Sequence, residues 1–167
     1  MKNYRYILIF LSLLTILVGI SCERPDISDD SNLLQELYSN SNDTLLIDAH
    51  KYFLETDLSR NLMPGGPIPT KRKLVALIFL VNADSIQIHT NISITKLYVI
   101  KGSLIWISTP HDSNQTYVPE FKLDKVSTDG PEWETNIFVD VVAEVYNNST
   151  KDKDFIIARQ QKIEALY

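Results

Sequence analysis

The 167-residue chain has little sulfur, little histidine and little glycine: one cysteine, two methionines, three histidines and five glycines. A lone cysteine cannot form an internal disulfide, so Cys22 in an exported protein needs another explanation. The cysteine and histidine spacings match no zinc pattern such as HxxxH or CxxC. Met63 is the only methionine beyond Met1, which excludes a methionine-rich copper site. The sequence therefore predicts no metal and no cofactor.

The familiar catalytic motifs are also missing. The chain has no glycine-rich phosphate loop and no G-x-S-x-G turn for a nucleophilic serine. We therefore predict no catalytic residues, and we expect the protein not to be an enzyme.

Positive charge is scarce in most of the chain. The whole sequence has 16 Lys and Arg against 21 Asp and Glu, and two of the basic residues, Lys2 and Arg5, lie within residues 1–21, which contain no acid. Residues 22–167 therefore have a formal charge of −7, from 14 basic and 21 acidic residues. A surface of this sign repels phosphate backbones, so nucleic acid is not an expected partner.

The N-terminus has the features of an export signal. Lys2 and Arg5 precede an uncharged, mostly apolar run over residues 6–20. That run is shorter than the roughly 20 residues that span a bilayer, and it suits the apolar region of a signal peptide.

Gly19-Ile20-Ser21-Cys22 resembles a lipobox, the cleavage site of bacterial lipoproteins, with Gly19 where leucine is usual. The resemblance implies a signal peptide over 1–21 and an acylated Cys22 that anchors the protein in the bacterial cell envelope. We expect the outer membrane, with the periplasmic or surface-facing orientation left open. Two alternatives remain: an uncleaved N-terminal membrane anchor, and secretion with a free thiol at Cys22.

Residues 22–43 are rich in Asp, Ser and Asn, which predicts a flexible polar tether. Within it the spacing of Leu33, Leu34, Leu37 and Tyr38 indicates a short helix. Residues 44–167 form the predicted domain.

The domain is dominated by short β signals with turns between them. The predicted strands cover Leu45–Leu54, Lys73–Val81, Ser85–His89, Ile94–Ile100, Ser103–Ile107, Phe121–Val126, Ile137–Tyr146 and a last strand from Phe155 towards Ile163. We expect a hairpin or a bend around Lys101-Gly102 and a turn at Asp129-Gly130-Pro131. About seven or eight such strands predict an all-β fold, an antiparallel immunoglobulin-like β-sandwich.

From about Phe53 onward the chain resembles a family of small exported bacterial domains whose role is unknown. The similarity lies in Asn61-Leu62-Met63-Pro64-Gly65, in Leu97–Gly102 with Trp106, and in Asp129–Trp133 with Val139–Val142. It implies an immunoglobulin-like sandwich and no catalytic residues.

The candidate recognition residues are few. Three prolines and a glycine pair within 61–69 restrict the loop formed by Met63, Pro64, Gly65, Gly66 and Pro67, which suits recognition or a tight crossover. Tyr117 and Trp133 flank predicted turns and suit either a ligand platform or the end of a core, whereas we expect Trp106 in the core. Asp140 and Glu144 share one strand face, and we expect that face to be solvated.

The sequence therefore predicts a membrane-anchored envelope lipoprotein that acts as a non-catalytic binding or structural module. Its partners are the membrane, through the lipid, and an envelope protein or glycan. Two alternatives are a glycan-directed hydrolase with carboxylates from several strands, and an inhibitor of exported proteases that presents the proline-rich loop.

Overall fold

The computed structural model describes residues 24–63 and 72–167. These residues form ten β-strands and one short helix, so the predicted all-β class is confirmed. In chain order the elements are β1 (Asp26–Ser28), α1 (Ser31–Asn40), β2 (Ser41–Asn42), β3 (Leu45–Ile47), β4 (His50–Asn61), β5 (Leu74–Asn82), β6 (Ile92–Lys101), β7 (Leu104–Ser108), β8 (Lys122–Ser127), β9 (Phe138–Asn147) and β10 (Asp152–Leu166).

Eight strands follow one path of hydrogen-bonded neighbours, β1-β7-β6-β9-β10-β4-β5-β8, while β2 pairs with β10 and β3 with β4. Most pairs are antiparallel, but β10 runs parallel to both β4 and β2. The sheet is therefore mixed, and the prediction of purely antiparallel pairing is wrong at β10. A parallel pair needs a long crossover, and the chain from β5 to β9 provides one between β4 and β10.

The sheet curls around one hydrophobic cluster. Buried side chains of β4 and β5, such as Leu58 and Ile78, share this cluster with Val99 of β6 and Val141 of β9. Strands from both parts of the path thus face the same core. Trp106 is fully buried in it, as predicted.

Strand β9 follows its predicted alternation. Val139, Val141, Ala143 and Val145 enter the main cluster, whereas Val142, on the opposite face, packs in a second cluster under α1. The second face is mixed: it carries Asp140 and Glu144 as well as Val142.

Strand β10 belongs to both parts of the curled sheet. Its pairing with β9 shifts between Ala158 and Gln161, continues to Lys162, and is followed on the other edge by pairing with β4 from Ile163 to Leu166. Gln160 has a φ of 54°, and its N–H donates to the Asp140 carboxylate at 2.8 Å. The bulge therefore bends β10 just before its pairing with β4 begins.

One predicted strand is in fact a hairpin. The structure divides Leu45–Leu54 into β3 and β4 at Asp48 and Ala49, whose φ angles are 51° and 65°. Two successive positive φ values are typical of a type I′ turn, which usually uses Asn-Gly or Asp-Gly. The sequence signal was missed because Ala49 stands where glycine is usual.

The predicted strand Ser85–His89 is wrong. These residues form no strand, and Ser85 has a φ of 58°. Only the Ile88 N–H makes a backbone bond across to another segment, to the Glu120 carbonyl at 2.9 Å. The alternating pattern correctly placed Ile88 against the core. It did not show that this segment has no neighbouring strand to pair with.

The hairpin around Gly102 is confirmed. Lys101 of β6 pairs with Leu104 of β7, and Gly102 has a φ of 61°. Glycine adopts this conformation without steric penalty, which is why the turn was visible in the sequence.

The segment before β3 is part of the fold. Helix α1 confirms the predicted short helix, and the Asp30 side chain caps it by accepting from the Asn32 N–H at 2.8 Å. Strand β1 pairs with β7, and Leu37 is 1% exposed. Residues 26–42 therefore differ from the expected tether, because the helical leucines bury against the sheet.

Helix α1 covers a second apolar cluster that includes Leu37, Tyr98 and Ile157. Beside it the Tyr38 hydroxyl donates to the Asp140 carboxylate at 2.8 Å, and the Arg159 guanidinium lies 5.7 Å from the centre of the Tyr38 ring. No helix in the described parts of the chain is long and apolar enough to cross a membrane.

The close packing at Gly130 gives a first prediction. An added Cβ there would lie 2.5 Å from the Leu74 carbonyl oxygen and 2.8 Å from the Trp106 ring. We expect Gly130→Ala to lower the free energy of unfolding by at least about 2 kcal/mol, measured by urea denaturation. Gly102→Ala is the control: its Cβ meets nothing within 4 Å, so only the positive φ is strained and the loss should be about 1 kcal/mol. An equal or smaller loss at Gly130 would contradict the packing described here.

The hydrogen bond of Tyr38 gives a second prediction. Burial and then the bond to Asp140 raise the pKa of Tyr38 from 10.0 to about 12. The folded state thus favours the protonated phenol, and this stabilisation is complete below about pH 10 and lost as the pH rises to about 12. We expect Tyr38→Phe to lower the free energy of unfolding by about 1 kcal/mol at pH 7 and to make its alkaline decline shallower.

The measurement is urea unfolding across the alkaline range, with Tyr117→Phe as the control. Because the Tyr117 side chain is 81% exposed, its substitution should change neither quantity. An unchanged alkaline slope for Tyr38→Phe would show that Tyr38 does not contribute to it.

Candidate functional site

An open cleft of about 580 Å³ lies where the two ends of the curled sheet approach each other. Ser108 and Thr109 at the end of β7 form one wall, and residues 127–129 at the end of β8 form the other. Strands β7 and β8 are far apart in the path of neighbours, so the cleft exists only because the sheet curls.

Local backbone bonds fix the β8 wall. His111 exchanges two backbone hydrogen bonds with Val126, at 3.0 and 2.8 Å, and so ties the segment after β7 to β8. Beyond β8 the Gly130 N–H donates to the Leu74 carbonyl at 3.1 Å, and the Leu74 N–H donates to Pro131 at 3.3 Å. The residues around Asp129 are thus held against β5.

A buried cation supports the same wall. Arg60 of β4 is 8% exposed, and its guanidinium donates to the carbonyl oxygens of Arg72, at 2.6 Å, and of Trp133. Its remaining nitrogen lies 3.7 Å from a Glu132 carboxylate oxygen. These contacts satisfy a charge that would otherwise be costly to bury.

The two walls of the cleft are joined by one hydrogen bond. The Ser108 hydroxyl donates to Asp129 Oδ1 at 3.0 Å. This leaves Asp129 with further acceptor capacity, because a carboxylate has about four lone-pair positions.

Ser127 lies beside this pair without a partner of its own. It is 1% exposed, it lines the cleft, and its hydroxyl makes no hydrogen bond to any residue that the structure describes. A buried hydroxyl without a partner destabilises the folded state, so the residue calls for an explanation. A ligand oxygen or nitrogen in the cleft would supply the missing bond.

The rim of the cleft carries both signs of charge. Arg24 and Lys96 are exposed and form no ion pair with any residue that the structure describes, and His111, also exposed, lines the cleft as well. Asp26 on β1 and Asp129 provide two carboxylates. Among the described residues of the lining, Ile107 is the one with an apolar side chain. The arrangement can therefore bind a polar, charged group and offers little to an apolar one.

The residues singled out from the sequence lie elsewhere. Tyr117 is 81% exposed and Met63 54% exposed, and neither lines the cleft. Trp133 is 8% exposed within the main cluster, and the Lys101 ammonium lies 5.8 Å from the centre of its ring. Cys22 and the loop residues Pro64, Gly65, Gly66 and Pro67 lie outside the described residues.

The expected solvated face of β9 is wrong at Glu144. This side chain is buried, accepts from the Thr95 hydroxyl at 2.6 Å and lies 3.1 Å from the Lys153 ammonium. Asp140 accepts from Tyr38 and from the Gln160 backbone. Both carboxylates therefore hold the fold together under α1 and beside the bulge of β10.

Sequence reasoning missed the cleft residues. The one local signal was a repeated Ser-Thr pair, Ser108-Thr109 and Ser127-Thr128, directly at the ends of two strands. Nothing in the sequence shows that these ends meet, because they are brought together by the curl of the sheet.

Among residues 24–63 and 72–167, no group of three or more His, Cys, Asp or Glu side chains is arranged to hold a metal ion. No protein-family model, curated protein or solved structure matches the chain. The functional argument therefore depends on the cleft itself.

The two serines of the cleft give a prediction with opposite signs. Ser127→Ala removes a buried hydroxyl that has no partner, and we expect the free energy of unfolding to rise by about 1 kcal/mol. Ser108→Ala breaks the bond to Asp129 and should lower it by a similar amount, about 1 kcal/mol. Urea denaturation of both variants without added ligand measures the difference. A loss of stability in Ser127→Ala would mean that its hydroxyl is already satisfied.

Proposed function

We propose that this chain is a lipid-anchored envelope protein that binds a polar ligand, without converting it, in the cleft between β7 and β8. The observation that carries the binding proposal is the Ser127 hydroxyl, which is buried and unpartnered in an open, polar cleft. The anchor follows from Gly19-Ile20-Ser21-Cys22, which resembles a lipoprotein processing site.

The frame around the cleft suits a binding module. Its walls are fixed by backbone bonds to β5 and β8 and by the buried Arg60, so little side-chain or loop ordering is needed when a ligand binds. A site that is already formed is typical of ligand-binding clefts.

We also propose that the domain is related to the immunoglobulin-like sandwiches. Two sets of strands, β7-β6-β9 and β4-β5-β8, contribute to one core, as the two sheets of a sandwich do. The parallel pairing of β10 with β4 is a departure from that plan.

A glycan-directed hydrolase is the alternative with an observation in its favour. Asp26 and Asp129 line the same cleft, and glycoside hydrolysis uses two carboxylates on either side of the scissile bond. Turnover of a glycan substrate that Asp129→Asn abolishes would replace the binding proposal with this one. The protease-inhibitor hypothesis stays a prediction, and deletion of Met63–Pro67 in an inhibition assay would test it.

The anchor is tested by the intact mass of protein purified from the membrane fraction. We expect a chain that begins at Cys22 and carries acyl groups, because each buried CH₂ contributes roughly 0.8 kcal/mol to membrane binding and two or more chains hold a protein stably. Cys22→Ala should retain residues 1–21 and carry no lipid. Ser21→Ala is the control and should be processed normally, because it keeps a small residue before the cysteine. If the protein with the native sequence were recovered full-length and unmodified, the lipid anchor at Cys22 would be refuted.

A further inference from the structure

The chain enters the fold at the cleft. Strand β1 is antiparallel to β7, with Asp26 opposite Ile107 and Ser28 opposite Ile105. The N-terminal end of β1 therefore lies beside the C-terminal end of β7, where Ser108 and Thr109 line the cleft. Arg24, two residues before β1, lines the same cleft.

Covalent geometry then limits how far Cys22 can lie from the cleft. Arg24 is two positions after Cys22, and an extended chain spans at most about 3.6 Å per residue, so the two Cα atoms are within about 7 Å. An acylated Cys22 sits at the bilayer surface. This step rests on the lipid anchor proposed above. In the anchored protein, the cleft opens within reach of the lipid headgroups.

The charges of the cleft fit a zwitterion better than an anion. A purely anionic group on Arg24 and Lys96 would leave Asp26 and Asp129 close to a like charge, which is unfavourable. A ligand that carries a phosphate and an ammonium group joined by a short two-carbon linker pairs with both sets. Primary ammonium groups have three N–H donors for the two carboxylates, whereas a quaternary ammonium has none.

The lining also argues against a protein partner in this cleft. Protein interfaces are centred on buried aromatic and aliphatic anchors, and the lining here has a single apolar side chain, Ile107. A small, strongly hydrated headgroup needs no such anchor.

We propose that the cleft binds the headgroup of an aminophospholipid from the membrane in which Cys22 is anchored. The phosphate lies against Arg24 and Lys96 and accepts a hydrogen bond from the Ser127 hydroxyl. The ammonium group lies against Asp26 and Asp129. This contact fixes the orientation of the domain on the bilayer, with the hairpin at Gly102, at the other end of β7, pointing away from it.

The orientation is tested with the lipidated protein in vesicles. Its only native cysteine is then a thioether, so an introduced cysteine is the single site for a fluorescent label. Thr109→Cys places the label at the cleft end of β7, and Ser103→Cys places it at the other end, six residues or roughly 20 Å away. A quencher attached to lipid headgroups should quench the label at position 109 several-fold more than the label at 103. Equal quenching would overturn the proposed orientation.

The headgroup is tested by native mass spectrometry of the lipidated protein in micelles that contain phosphatidylethanolamine, phosphatidylcholine and phosphatidylglycerol in equal amounts. We expect one retained phosphatidylethanolamine per chain. Lys96→Gln and Asp129→Asn should each weaken its retention about tenfold, since each removes one charge-assisted contact. Lys96→Arg keeps the charge and should retain the lipid.

Lys51→Gln is the matched control for the loss of a lysine. Lys51 is exposed on β4 and lies next to Asn82, at the opposite end of β5 from the residues that pair with Ser127. It should bind phosphatidylethanolamine as the parent chain does. Urea denaturation of each variant shows whether a loss of binding is a loss of fold.

The outcomes separate this inference from the function on which it rests. Preferential retention of phosphatidylglycerol or phosphatidylcholine, or none of the three, overturns the aminophospholipid assignment while acylated Cys22 keeps the anchor. If Lys96→Gln and Asp129→Asn both retain the lipid as the parent chain does, the lipid does not bind in the cleft and the inference is wrong. Absence of acylation in the intact mass overturns the anchor and this inference together.

Discussion

The structure depends on β10, the strand that joins two groups of strands. Along one edge β10 pairs with β9 from Asp152 to Lys162, on both sides of its bulge, and along the other edge it pairs with β4 from Ile163 to Leu166. Without this strand the path divides into β1-β7-β6-β9 and β3-β4-β5-β8, which share no hydrogen-bonded ladder. The positive φ of Gln160 and the bond from its N–H to Asp140 hold the change of direction, and Thr56 donates to the Gln161 side chain at 2.7 Å just beyond it. By joining the two groups, β10 brings both onto one core and sets the ends of β7 and β8 on either side of the cleft.

The sequence predicted best where a strand's own pattern decides its position. Strand β9 alternates over ten residues, β5 is a continuous apolar run, and Gly102 provides the turn between β6 and β7. Sequence-based prediction failed where the local pattern was incomplete or where residues far away in the sequence decide the structure. The Asp48-Ala49 turn has no glycine to mark it, and Ser85–His89 alternates but has no strand to pair with. The parallel register of β10 on β4 has no signal in the sequence of β10.

The candidate site shows even more clearly that local features can be predicted from the sequence and that features formed by distant residues cannot. The described residues that line the cleft are of common types, and Ser127 becomes unusual only because the folded chain buries its hydroxyl without a partner. The aromatic residues that looked distinctive in the sequence had local explanations: Trp106 and Trp133 fill the core and Tyr117 is exposed. The rare tryptophans thus belong to the core, whereas the polar cleft is formed by common residues that the topology of the sheet brings together.

The position of β10 after all the other described strands has a consequence for how the chain can fold. A protein that emerges from a ribosome or a translocation pore with its N-terminus first completes β1–β9 before the strand that joins them is present. Until then β4 and β9 each display an unpaired edge, which other strands can pair with. The two sets of strands therefore stay unjoined, and able to associate wrongly, until the fifteen residues of β10 have emerged. The curled sheet can close only after β10 has been added.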